Sequence, residues 1–203
     1  METATILHNL IPAHNVSFLV YLVLAGYTGL YNNLLGVSES AMNNLADKIE
    51  TQLISLGSFL HESEWYGREN ELVNLFAHSF LAGPIQIAQI GIEVAVKQLA
   101  KVGGKALVRK DLVVWNKPYE TVWVKGIPTN DPAVIIEFKI NDSKKCASDI
   151  AWLRIYTEVY LEVVGFSVCG YLKERRGVSF TRVETGKIAA QQVAPAEAAT
   201  RRG

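Results

Sequence analysis

The spacing of apolar positions changes period part-way along the chain. Residues 38–57 (SESAMNNLADKIETQLISLG) carry Leu45, Ile49, Leu53 and Leu56 at helical intervals, and Gly57 is placed to end that helix. Residues 62–81 set Leu72, Leu75, Phe76 and Phe80 on one helical face ahead of the Gly83-Pro84 break. Residues 85–102 (IQIAQIGIEVAVKQLAKV) read as a third helix, stopped by Gly103-Gly104. Beyond it β-branched and aromatic residues dominate. Ala106–Trp115, Thr121–Val124 and Ala133–Ile140 predict strands, separated by Asn116-Lys117-Pro118, Gly126 and the turn residues 128–132. Residues 147–164 return to helical spacing. Phe166–Leu172 and Val178–Val183 then predict two strands joined through residues 173–177. From Ile188 onward no period remains, which predicts a poorly ordered tail over 188–203.

This order predicts an α/β fold, a mixed central sheet flanked by helices. It divides into an N-terminal helical extension over 1–84, a core over 85–187 and the tail. The most apolar run, Val16–Leu24 (VSFLVYLVL), is too short to span a bilayer, and no Lys or Arg precedes Lys48 to form a signal peptide's charged start. The run reads as a buried helix in a cytoplasmic protein with no membrane partner.

Composition changes this picture little. The chain is 49% apolar and 20% charged, which excludes disorder, collagen and coiled coil as descriptions of the whole. Net charge is zero but uneven. Residues 1–100 hold three basic residues against nine acidic, and residues 101–203 hold seventeen against eleven. A basic C-terminal half is compatible with a polyanionic partner. Cys146 and Cys169 lack metal-ligand spacing, and all four histidines fall before residue 80, so a Cys/His zinc site is not expected. The two cysteines read as free thiols in a reducing compartment.

Candidate chemistry concentrates in two strands, RKDLVVW (109–115) and AVIIEFKI (133–140). Alternation puts Glu137 and Lys139 on one face and Ile136, Phe138 and Ile140 on the other. Charges in so apolar a strand cost free energy unless they are paired or bind something. Asp111 offers a second carboxylate. Two carboxylates and a backbone carbonyl are hard ligands suited to Mg²⁺ or Mn²⁺, and a lysine beside them can orient water. The plainer reading is a cross-strand salt bridge.

Asp111 followed by Glu137-Phe138-Lys139, then a helix and a strand, resembles the PD-(D/E)XK nuclease superfamily over roughly residues 85–185. The resemblance implies a restriction-endonuclease-like fold and a metal-dependent nuclease that cuts phosphodiester bonds, in DNA. It implies that Asp111, Glu137 and the Phe138 carbonyl hold Mg²⁺ or Mn²⁺ and that Lys139 positions the attacking water. A catalytically inactive module of the same fold, binding DNA or protein, is the alternative. The family's first core helix brings a further Glu. Glu93 is the only acid in the third predicted helix and is preferred on helix order, while Glu69 and Glu71 (RENELVNLF) resemble the helix start of archaeal Holliday junction resolvases. Lys110 stands where the family often has Pro, and an extra strand near 121–125 separates the two motif strands. Lys144, Lys145, Arg175 and Arg176 are candidates for phosphate contact; Asp149 reads as a first-turn helix charge, and the four tryptophans as core. A helical face from 16–35 or 41–57 offers a homodimer contact, favoured by the neutral net charge, with an intramolecular helical cap as the alternative.

Overall fold

The computed structural model describes residues 39–99, 106–121, 123–173 and 175–195. The chain divides into two compact units, Met1–Ala41 and Met42–Gly203. Val16–Leu24 and the 16–35 face fall outside the described residues, as do 196–203.

Helix α1 (Glu39–Glu62) buries Leu45, Ile49, Leu53, Leu56 and Leu60 on a single stripe. It runs through Gly57 rather than ending there, and a Cβ at that position would collide with the Ala194 backbone. The glycine is a point of close approach, not a stop. Within the 41–57 candidate dimer face, Leu45, Ile49, Leu53 and Leu56 pack inside this chain.

Helix α2 (Glu69–Leu75) is short and continues as a π-helical turn over Phe76–Leu81. Its start is capped when the Arg68 N–H donates to Glu71 Oε2 at 2.7 Å. Arg176 fixes the approach to this start: its guanidinium donates to the Leu60 carbonyl at 2.9 Å and to the Trp65 carbonyl.

The predicted third helix is a correction. Residues 87–89 make one 3₁₀ turn, and Ile90–Lys97 form strand β1. Ile90, Ile92, Val94 and Val96 alternate strictly, and that period of two prevails over the helical spacing once a neighbouring strand is there to pair with. The neighbour is β2 (Leu107–Val114). Strands β3 (Trp123–Val124) and β4 (Ile127–Pro128) make a separate two-stranded ribbon. Its turn places Lys125 and Gly126 at φ 52° and 76°, the left-handed pair that a two-residue hairpin requires. The extra strand therefore stays out of the main sheet, and β2 pairs directly with β5 (Val134–Ile140).

Helix α3 (Ser143–Val159) follows, starting earlier than the apolar spacing implied because the Asp142 carboxylate accepts the Lys145 N–H at 3.0 Å. Strands β6 (Val164–Tyr171), β7 (Gly177–Glu184) and β8 (Lys187–Ala194) complete the chain. Strand β8 corrects the tail: residues 187–194 pair along β7 in spite of their irregular composition.

The main sheet has six strands in the order β1-β2-β5-β6-β7-β8. Only β5 and β6 are parallel, and α3 makes that crossover. The fold is thus mixed α/β with a mostly antiparallel central sheet between helices. On one face α1, α2 and the π turn cover Leu112, Val114, Val134, Ile136, Phe138, Phe166 and Phe180. On the other, α3 packs Leu153 and Tyr156 on Val94, Val96, Val113 and Ile135. Cys146 of α3 and Cys169 of β6 are disulfide-bonded, with Cα atoms 6.2 Å apart, which corrects the expectation of free thiols.

Candidate functional site

The alternation of β1 and β2 slips at one rung. Ile92 and its partner Leu112 belong to the α1/α2 face, whereas Val94, the partner of Lys110, belongs to the α3 face. Residues two apart should share a face. Between them Glu93 adopts φ 55°, a left-handed conformation that re-aims the strand as a bulge does. The rung facing Glu93 is Asp111. On the other side, β2 and β5 pair only from Val114 to Leu112. Where that ladder ends, the Phe138 N–H donates to Asp111 Oδ2 at 2.8 Å, so the carboxylate takes the place of a backbone acceptor.

The slip turns Lys110 toward α3. Its ammonium pairs with Glu137 Oε1 and lies 3.3 Å from the centroid of the Trp152 ring. Both residues are 5% exposed. Burial drives the Glu137 carboxyl up to about 7, and the negative charges of Asp111 and Asp149 push the same way, against the pull of Lys110.

Lys139 gathers a second and more open set. Its Nζ lies 3.1 Å from Glu69 Oε1, 3.5 Å from Asp111 Oδ2 and 3.8 Å from Asp149 Oδ2, and it also donates to the Phe138 carbonyl. Desolvation alone would lower its pKa, but Asp111, Glu69 and Asp149 outweigh it and the ammonium is held above its ordinary value. Asp149 is pushed up, first by burial, and its Oδ2 is buried with no hydrogen-bond partner. The 3.8 Å to Lys139 is an electrostatic contact, too long to be a hydrogen bond.

Asp111, Glu137, Lys139 and the Phe138 carbonyl are therefore brought together, and the helix acid that joins them is Glu69. Glu71 is spent on its own cap and on Arg68, 3.1 Å away. Glu93 is a correction: it sits on a strand, half exposed, with Oε2 3.7 Å from Arg109. The helix order that favoured it dissolved when its helix became β1. Arg176, anchored on two backbone carbonyls, is not a free phosphate contact. Lys144 and Lys145 are exposed in the first turn of α3, with Lys145 3.3 Å from Asp142. Arg175 lies in the exposed β6–β7 connection.

Two participants went unread in the sequence. Asp149 was legible only as a helix-start charge; its place one turn after Cys146, the residue α3 fastens to β6, is what turns it inward. Trp152 was read as core, and its ring is also the seat of the Lys110 ammonium.

Four carboxylates (Glu69, Asp111, Glu137, Asp149) thus face two ammonium groups. Among the described residues, no group of three or more His, Cys, Asp or Glu is placed so that it could hold a metal ion. The donors are nonetheless hard oxygens, in excess of their counter-charges, and one of them has no hydrogen-bond partner. Hard oxygen donors of this kind are the chemistry that small divalent cations take. No helix among the described residues is long and apolar enough to cross a membrane. No family model, curated protein or solved structure matches this chain.

Proposed function

We propose that this protein is a divalent-metal-dependent nuclease of restriction-endonuclease-like fold, hydrolysing phosphodiester bonds in DNA. The observation that carries the reading is the surplus of carboxylate where the motif strands meet, four acids facing the ammonium groups of Lys139 and Lys110. The order α2, β1, β2, β5, α3, β6 supports it, being the order the PD-(D/E)XK resemblance implies.

Asp111, the Phe138 carbonyl and Glu137 would hold Mg²⁺ or Mn²⁺, with Glu69 and Asp149 beside them. Bound there, the cation supplies Lewis acidity and a more acidic water. Lys139 donates hydrogen bonds to the attacking water and offsets charge building on the phosphoryl oxygens. Glu69 is the most exposed of these acids, with 43% of its side chain open. It accepts the proton that the water gives up. Lys144 and Lys145 meet the flanking phosphates.

A second reading has its own observation. Glu137 is buried and already paired with Lys110, which favours a catalytically inactive module that binds DNA or protein. The full chain incubated with labelled duplex, single-stranded and junction DNA, with Mg²⁺ or Mn²⁺, separates the two. Nuclease function requires cleavage that Asp111→Asn and Lys139→Ala each abolish. DNA retained uncut with either metal supports the inactive module, and cleavage that survives Lys139→Ala removes the lysine's assigned role.

A further inference from the structure

Lys110 sits where the motif strands meet, and the reading above gives it no role. Its side chain is 6% exposed, and a lysine this deep is costly unless its charge is met. Two groups meet it, the Glu137 carboxylate and the face of Trp152. The backbone departs from regular alternation to bring it there. Without the slip at Glu93, Lys110 would share a face with Leu112 and lie against the apolar α1/α2 cluster. Lys139, by contrast, is shared among three acids and is partly open. Lys110 thus makes its direct ion pair with one acid, and that acid is one of the proposed metal ligands.

We propose that Lys110 is an internal counter-cation that competes with the divalent ion for Glu137, and so sets the metal affinity of the site. The inference rests on the metal-dependent reading. The physical reason is direct. An ammonium in contact with a ligand carboxylate satisfies part of its charge and repels an incoming dication. The contact with Lys110 engages Glu137 Oε1, so the full charge of this carboxylate reaches the metal as that contact weakens. Trp152 lowers the cost of that exchange, because its ring gives the ammonium a second favourable contact as the carboxylate turns to the ion. Lys110 is a positioning residue in this scheme, acting on the site through Glu137.

Mn²⁺ binding to the folded full chain, measured by calorimetry without DNA, tests the role. Lys110→Met keeps an unbranched apolar side chain against Trp152 and removes the charge. It is expected to bind Mn²⁺ about tenfold more tightly, the scale of one partly screened charge repulsion. Lys110→Arg keeps the cation and should restore wild-type affinity. The double variant Lys110→Met/Glu137→Gln should lose the gain. Unchanged or weaker binding by Lys110→Met, with Mn²⁺ still bound by the wild type, overturns the role of Lys110 alone. No binding by any of the proteins overturns the metal-dependent reading and this role with it. A readout on the unaltered chain covers the case in which Lys110→Met does not fold. Mg²⁺ titration should change the tryptophan emission of the wild type and not of Trp152→Phe, and an unchanged wild-type emission overturns the exchange.

Discussion

The two faces of the sheet are built from the same strands and differ in chemistry over β2 and β5. Toward α1 and α2, Leu112, Val114, Val134, Ile136 and Phe138 join an apolar cluster that includes Phe76, whose ring centroid is 5.5 Å from that of Phe138. Toward α3, the intervening residues of the same segments include Asp111, Glu137 and Lys139, with Lys110 rotated in to join them. The difference teaches a division of labour. Apolar burial toward α1 and α2 supplies stability over β2 and β5. The other face holds charges that cost stability in isolation and are held in place by that supply.

The comparison predicts effects of unequal size. Phe138→Ala empties a fully buried position on the apolar face and should cost about 3–5 kcal/mol in urea unfolding. A loss below about 1 kcal/mol would mean that this face does not anchor the strand that carries Glu137 and Lys139.

The charged face should reveal itself through pH. The Glu137 carboxyl titrates near 4.5 when unfolded and about 7 when folded. The folded state therefore holds the proton more tightly. This contribution is full below about 4.5 and is lost as pH rises through about 7, a swing of order 3 kcal/mol. Melting curves of metal-free protein in chelator, compared with Glu137→Gln, should differ in pH slope across that window. Parallel curves would show that burial does not perturb this carboxyl.

The smallest effects belong to the basic residues and sort them by face. Arg176→Ala removes a guanidinium that holds two backbone carbonyls and should cost about 1–3 kcal/mol of stability. Lys144→Ala with Lys145→Ala should stay within about 0.5 kcal/mol, while lowering DNA affinity and the salt dependence of binding. Equal stability losses in the two proteins would erase the distinction between an anchoring and a phosphate-facing cation.

How much of this was legible follows from the range of each interaction. Strands β2 and β5, helix α3 and the stripe of α1 were readable because local period reports which residues share a face. Strand β1 was misread because its residues fit both periods, and only pairing with β2 selects one. Strand β8 was missed because an edge strand takes its structure from its neighbour rather than from its own composition. Among the candidate site residues, Asp111, Glu137 and Lys139 were legible because charges in apolar strands stand out by themselves.

The sequence by itself therefore determined the mixed α/β class, the strand pair that carries the acids and the lysine between them. Tertiary structure decided which helix acid joins them. It chose Glu69 over Glu93, because that choice depends on which segment faces the end of β5. It also decided that Lys110 belongs to Glu137 and Trp152. That depends on a break in alternation at the rung where the neighbouring strand holds Glu93 in a left-handed conformation, and it leaves no trace in the local pattern.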